Sequence, residues 1–187
     1  MSVTLSATPV LETERLILRA PVAADWAVWR GFMLSERSVH VRAAEVTEAL
    51  AWRAFGHFIG HWVLRGWGNF VVTDRASGAA LGACGPWFPA GWPERELGWS
   101  IWDAAAEGEG IAFEAAQAAR GFAYDVLGWD TAVSYIAASN ARSRALAGRL
   151  GCTLDAGAAH PEASGPVEVW RHPARDALVD GGMEAYA

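Results

Sequence analysis

Residues 96–114, Glu96-LGWSIWDAAAEGEGIAF-Glu114, decide the fold. Leu97, Trp99 and Ile101 alternate with smaller or polar residues, which is the period of a strand. A short alanine-rich loop follows, and Gly108-Glu109-Gly110 opens a long amphipathic helix. A strand that empties through glycines into a helix N-terminus makes an anion site. The first helical amides lack internal acceptors, and the helix dipole places partial positive charge there. Glycine lets a phosphate approach the main chain without meeting a side chain. The expected ligand carries phosphate.

Outward from this stretch, residues 11–20 (LETERLILRA) read as a first strand, broken by Pro21. Asp25 is the expected cap of a helix carrying Trp26, Trp29, Phe32 and Met33. A second helix is expected from about Val46 to Arg65, after Thr47 or Glu45. A hairpin follows, with strands at 69–73 and 80–87 around the turn 74–78. Pro86, Pro89, Gly91 and Pro93 shape the loop before Glu96. The long helix runs to about Leu127 and is closed by Gly128; residues 131–137 form a short strand. Ser139 or Asn140 caps a helix through Leu150, which Gly151 stops. Strands near 152–155 and 167–171 flank a Gly/Ala/Pro-rich loop, and the chain from Ala174 reads as a loosely held tail. This order is neither a regular β-α alternation nor an all-β pattern.

With 187 residues, 52% hydrophobic and 19% charged, the chain is expected to fold as one domain with a real core. It has no apolar run of the roughly 18 residues a membrane helix needs and no secretion-type N-terminus, so the expected compartment is the cytoplasm. A net charge of −6 speaks against nucleic acid. All 15 basic residues are arginine, so cationic contacts to phosphate come from guanidinium, histidine or main chain. Cys84 and Cys152 read as buried thiols, and His57 and His61, four apart, lack a third ligand; no metal is expected.

Three segments in this order, LETERLILR, ELGWSIWD leading into EGEGIAFEA, and NARSRALAGRLGC, resemble the GNAT acetyltransferases. Within them the chain looks most like the RimJ/RimL-like branch of ribosomal-protein N-terminal acetyltransferases. The resemblance covers residues 10–172, leaving 173–187 as a C-terminal tail. It implies an α/β fold with a mixed, mostly antiparallel central sheet flanked by helices. It also implies acetyl-CoA as co-substrate, a primary amine as acceptor, and a possible homodimer. Pantetheine would slot between the strands 96–102 and 131–137, against the main chain near Ile101 and Trp102. The pyrophosphate would rest on the amides of Gly108, Glu109, Gly110, Ile111 and Ala112. Asn140 and Ser143 fall where the family contacts the cofactor arm.

The departures from the family pattern are specific. Ala105 stands where Arg or Gln is usual, and Glu109, beside Glu107, stands where a basic residue is frequent. Ala147 occupies the place of a tyrosine general acid, and Cys152 that of an aromatic residue. These departures motivate the rival of a CoA-binding module without catalysis. A second rival, a dinucleotide site, has Asp130 at the right distance but ahead of its strand instead of at its end.

Amine acetylation needs a base, a polarised carbonyl and a departing thiolate. Glu96 is the expected base, with Glu94 the alternative and a salt bridge to Arg95 the structural reading. Main-chain amides around Trp99–Ile101 would polarise the carbonyl. Ser143 is the expected proton donor to sulfur, against the plainer role of a helical serine bonded to its own backbone. Arg142 and Arg144 are candidates for the CoA phosphates. Trp87 and Trp92 are the expected acceptor wall, whereas most other tryptophans fit a core.

Overall fold

The computed structural model describes residues 5–42, 45–161 and 167–181. Its centre is an eight-stranded sheet in the order β1-β2-β3-β4-β5-β6-β8-β7. The strands are β1 Leu11–Glu12, β2 Leu16–Arg19, β3 Phe70–Asp74, β4 Ala80–Trp87, β5 Glu96–Ile101, β6 Val133–Ala137, β7 Thr153–Leu154 and β8 Val167–Arg171. Every pairing is antiparallel except β5 with β6. The helices are α1 Trp26–Met33, α2 Glu48–Arg65, α3 Ile111–Asp125, α4 Ala141–Arg149 and α5 Arg175–Gly181. The fold is the expected α/β arrangement.

Each face of the sheet carries its own core. On one, α1 and α2 press Trp29, Phe55 and Phe58 onto Val71, Ala83 and Trp102. Trp29 stacks on Phe58 (5.8 Å, 13°) and meets Trp102 edge-on at 5.3 Å. Burying each such side chain stabilises the fold by about 1.5–3 kcal/mol. On the other face, α3 lays Ala115, Ala116, Ala119 and Ala123 against the strands. This small-residue stripe lets the helix approach closely, and Phe122 meets Phe70 edge-on at 5.3 Å.

Three local expectations change. The first strand is two strands, because residues 13–15 turn to meet α3. There Glu114 accepts hydrogen bonds from the Thr13 hydroxyl (2.5 Å), the Arg15 amide (3.0 Å) and Arg15 Nε (2.7 Å). Asp25 holds the N-cap position of α1 but its side chain makes no cap bond there; it is buried, gripped by both terminal nitrogens of Arg19 (2.9 and 2.8 Å), and accepts the Val22 amide. Beyond Ala174 the chain forms α5, anchored where the Arg175 amide donates to the Asp130 carbonyl at 2.9 Å. The end of the expected tail, 182–187, and part of the loop before β8, 162–166, lie outside the described residues. Thr47 and Asn140 are the caps of α2 and α4. No helix among the described residues is long and apolar enough to cross a membrane.

Candidate active site

Strands β5 and β6 pair at a single register point, Glu96 with Val133, and then part. The Val133 amide donates to the Arg95 carbonyl at 2.9 Å, and Ser134 Oγ donates to the Leu97 carbonyl at 2.6 Å. After that side-chain substitute no further ladder forms. A cleft of about 480 Å³ opens there, lined by Glu96–Ser100, Ser134–Ala137, Asn140 and Ser143, and by Trp87, Trp92, His57 and Asn69.

Alternation along β5 sends its side chains to opposite faces of the sheet. Leu97, Trp99 and Ile101 join the core beneath α3. Glu96, Gly98 and Ser100 therefore face the side of α1 and α2. Trp99 Nε1 donates to Ser143 Oγ at 3.1 Å, tying β5 to α4 across the gap. The cleft thus joins two chemically different ends, with Glu96 at one and Ser143 at the other.

Glu96 is half-buried. Burial pushes its carboxyl up to about 7, opposed by the hydrogen bond from Trp92 Nε1 (2.6 Å) and by the Tyr135 amide. A carboxylate at that value is matched to proton transfer near neutrality. Glu94 is occupied otherwise, because Arg171 grips it with two bonds of 2.8 and 2.9 Å. Arg95 turns away and lies over the Trp129 ring, so it makes no bridge to Glu96.

At the other end, Asn140 Oδ1 accepts the Ser143 amide at 3.1 Å as the cap of α4, which leaves its NH₂ group for a ligand. Gly110 (φ 77°) turns the chain into α3, with no side chain capping that helix. The amides of Ile111 and Ala112, in the first turn of α3, therefore have no acceptor within the helix, and Gly108 (φ 85°) lies just before them. Glu109 is exposed and its carbonyl accepts from Arg15 at 2.9 Å. Glu107 is pulled aside by Arg37 and Arg142, which hold its carboxyl below the usual range. Arg144 pairs with Glu168 at 3.0 Å instead of reaching the loop.

Two expected contacts change character. The main chain of Trp102 is already used, its amide donating to Leu81 (2.7 Å) and its carbonyl accepting from Arg37 (2.6 Å), while its ring is core. The Ile101 carbonyl accepts from Arg37 as well, at 3.1 Å. Trp92 lines the cleft as a hydrogen-bond partner of Glu96. Trp87 lines the cleft, stacked on His61 (4.4 Å, 18°) and met edge-on by His57 at 5.0 Å. His61 is fixed in turn, because its Nδ1 faces the Trp67 carbonyl (2.9 Å) and its Nε2 accepts the Phe88 amide (3.0 Å). That pattern sets one neutral tautomer, and burial holds its titration below the usual value.

Burial pushes both cysteine thiols up to about 12, which makes them poor nucleophiles. No three His, Cys, Asp or Glu among the described residues converge as a metal site. Sequence reasoning missed Asn69, Tyr135 and Arg37. Strand pairing brings Asn69 and Tyr135 to the cleft, and Arg37 reaches it from the turn Glu36–Ser38 through its guanidinium bonds; no local motif marks any of them.

The family model for the acetyltransferase (GNAT) domain matches residues 15–153. An acetyltransferase of Agrobacterium tumefaciens is 34% identical, with 92% of this chain and 99% of that one covered and a TM-score of 0.81. A putative ribosomal-protein-serine acetyltransferase of Vibrio cholerae (21%, 89% and 99% covered, TM-score 0.70) shares the fold. So does an aminoglycoside acetyltransferase in complex with coenzyme A (15%, 89% and 99% covered, TM-score 0.72). No curated protein matches the chain.

Proposed function

The chain belongs to the GNAT acetyltransferase family, and we propose that it passes acetyl directly from acetyl-CoA to a primary amine in a ternary complex. The observation that carries this reading is the single-point pairing of β5 and β6, with Glu96 and Ser143 at the two ends of the gap it leaves.

The unpaired edge of β5 past Leu97 offers main-chain groups to an extended amide-bearing arm, and the Asn140 NH₂ offers a further donor. The first amides of α3 and the Gly108 loop suit the pyrophosphate. Arg142, at the N-terminus of α4, is the guanidinium that supports the phosphates in the absence of a basic residue at 105. Bound there, acetyl-CoA supplies the activated acyl group.

Glu96 takes the proton from the acceptor's ammonium, which titrates near ~10 in water and would otherwise hold its lone pair captive. The freed nitrogen attacks the thioester carbon, the carbon–sulfur bond breaks, and the nitrogen sheds its second proton to water. The departing sulfur receives a proton from Ser143, directly or through water, and solvent then restores that proton to the serine. Glu96 is the one carboxylate among the described residues lining the cleft. A polycation would leave several ammonium groups there without counter-charge, so the reading favours an acceptor with one amine on an apolar body.

The test is thiol release from acetyl-CoA by wild type and Glu96→Gln, over free-N-terminal peptides, simple monoamines and aminoglycosides. Turnover that the substitution abolishes while CoA still binds supports an enzyme of this mechanism. CoA binding with no turnover on any acceptor favours the non-catalytic module.

A further inference from the structure

Asn69, just before β3, ends in a carboxamide whose Oδ1 is buried and has no hydrogen-bond partner among the described residues. Its backbone is firmly placed, the carbonyl accepting from Trp62 Nε1 at 2.8 Å. A buried polar atom left unpaired costs about 1–3 kcal/mol, so its persistence in a cleft wall points to a partner that arrives with the ligand.

The floor beside it is bare. Gly85 pairs with Gly98, and a Cβ on Gly85 would lie 3.2 Å from Asn69 Cα and 3.0 Å from the Phe70 ring. Asn69, Gly85 and Gly98 therefore form a row across three strands in which only the first carries a side chain. A methyl group on Gly98 would lie 3.6 Å from Glu96 Oε1 and 3.8 Å from both terminal atoms of Asn69. Two polar groups, one of them the base, thus face a single small space that no protein atom fills. Trp87, opposite Glu96 two register pairs along and so on the same face, and Trp92, bonded to Glu96, wall it.

Resting on the acetyltransferase reading above, we propose that Asn69 is an acceptor-binding residue, its carboxamide oxygen holding the acceptor's primary amine over Gly98 beside Glu96. An ammonium has three protons to place. One goes to Glu96, one to Asn69 Oδ1, and the third faces the open side. When Glu96 takes its proton, the new lone pair first faces Glu96. A one-third turn about the carbon–nitrogen bond brings another N–H onto Asn69 Oδ1, which keeps the nitrogen seated, and swings the lone pair to the open side, where the thioester would lie. The seat accommodates one primary amine: a secondary amine would place its second carbon on the open side, in the path of attack, and a tertiary amine would place carbon against Asn69 or Glu96 as well.

The experiment is steady-state kinetics of Asn69→Ala, Asn69→Asp and Gly98→Ala, with 2-phenylethylamine and an alanine-led tripeptide as probes, beside calorimetry of CoA binding. Losing one hydrogen bond to a charged group should raise the acceptor KM of Asn69→Ala about tenfold, with CoA affinity unchanged. Gly98→Ala places a methyl at ordinary contact distance, so it should fold normally yet raise the same KM. Asn69→Asp puts a second carboxylate beside Glu96 and should move the acidic limb of the kcat/KM profile to higher pH. An active wild type whose acceptor KM is untouched by Asn69→Ala overturns this inference alone, as does an equal weakening of CoA and acceptor. A wild type that binds no CoA and acetylates neither probe overturns the enzymatic reading and this inference together.

Discussion

Trp92 Nε1 donates to Glu96 Oε2 across 2.6 Å, so the loop between β4 and β5 bears directly on the carboxylate proposed as base. A donor to the carboxylate stabilises its ionised form and opposes the desolvation that pushes Glu96 up to about 7. Trp92→Phe keeps the ring and removes the donor. A hydrogen bond to a charged group contributes about 1.5–3 kcal/mol, equivalent to roughly one to two pH units. The acidic limb of the kcat/KM profile should shift upward by about one unit, with most activity recovered near pH 9. A limb that stays in place would mean that solvent replaces the indole donor at no loss.

Glu96 itself is expected to trade stability for catalysis. Its folded value lies above the ordinary carboxyl value of 4.5, so between the two the folded protein holds a proton that the unfolded chain has released. Stability therefore falls as pH rises through this window, and the full penalty is present above about 7. Glu96→Gln is free of that penalty. After allowance for partial exposure it should be more stable than wild type by about 1–2 kcal/mol at pH 8. The difference should shrink toward zero below pH 5, as read by urea unfolding at both values. The same variant should lose about 10²–10⁴ in kcat.

Ser143 has two roles to separate. Its amide donates to Asn140 Oδ1, and its hydroxyl oxygen accepts from Trp99 Nε1 at 3.1 Å. Because the indole occupies a lone pair, the hydroxyl proton stays available to a departing sulfur. Ser143→Ala should lower kcat by about 10–10² with CoA affinity unchanged, and Trp99→Phe should lower it less. A wild-type kcat in Ser143→Ala would confine this serine to α4.

The features read correctly from the chain are those set by local chemistry. The glycines at 108 and 110 adopt the left-handed conformations that a side chain resists, Asn140 caps α4, and Gly151 (φ 78°) ends it. The features that escaped reading depend on register. Glu114 holds Thr13 and Arg15 from about one hundred positions away and splits the first strand. Asn69 becomes part of the site only because β3, β4 and β5 align it with Gly85 and Gly98. Asp25 has the composition of a cap, but Arg19 on β2 claims its carboxylate. The acidity of the glycine loop is legible in the chain, but the pairing of Glu107 with Arg37 and Arg142 is not, because it joins residues 35 to 70 positions apart.

Those partners lead to the last expectation. Glu107 bridges Arg37, which also holds the Ile101 and Trp102 carbonyls, and the largely exposed Arg142 on α4. To reach a pyrophosphate at the α3 N-terminus, Arg142 must leave Glu107, so the two anions compete for one guanidinium. Arg142→Ala should weaken CoA binding about three- to tenfold, in line with the loss of one exposed charge-assisted contact. It should leave the binding of acetyl-pantetheine, which has no pyrophosphate, unchanged. Glu107→Gln removes the competitor and a nearby negative charge, and should tighten CoA by a similar factor, most clearly at low salt. Arg37→Ala should behave differently, because it strips the carbonyls of Ile101, at the end of β5, and of Trp102 just beyond it of their donor and lowers the thermal midpoint of the whole domain. If Glu107→Gln weakens CoA instead, the carboxylate's main service is to hold the loop in shape, and Arg142 binds phosphate without having to be released.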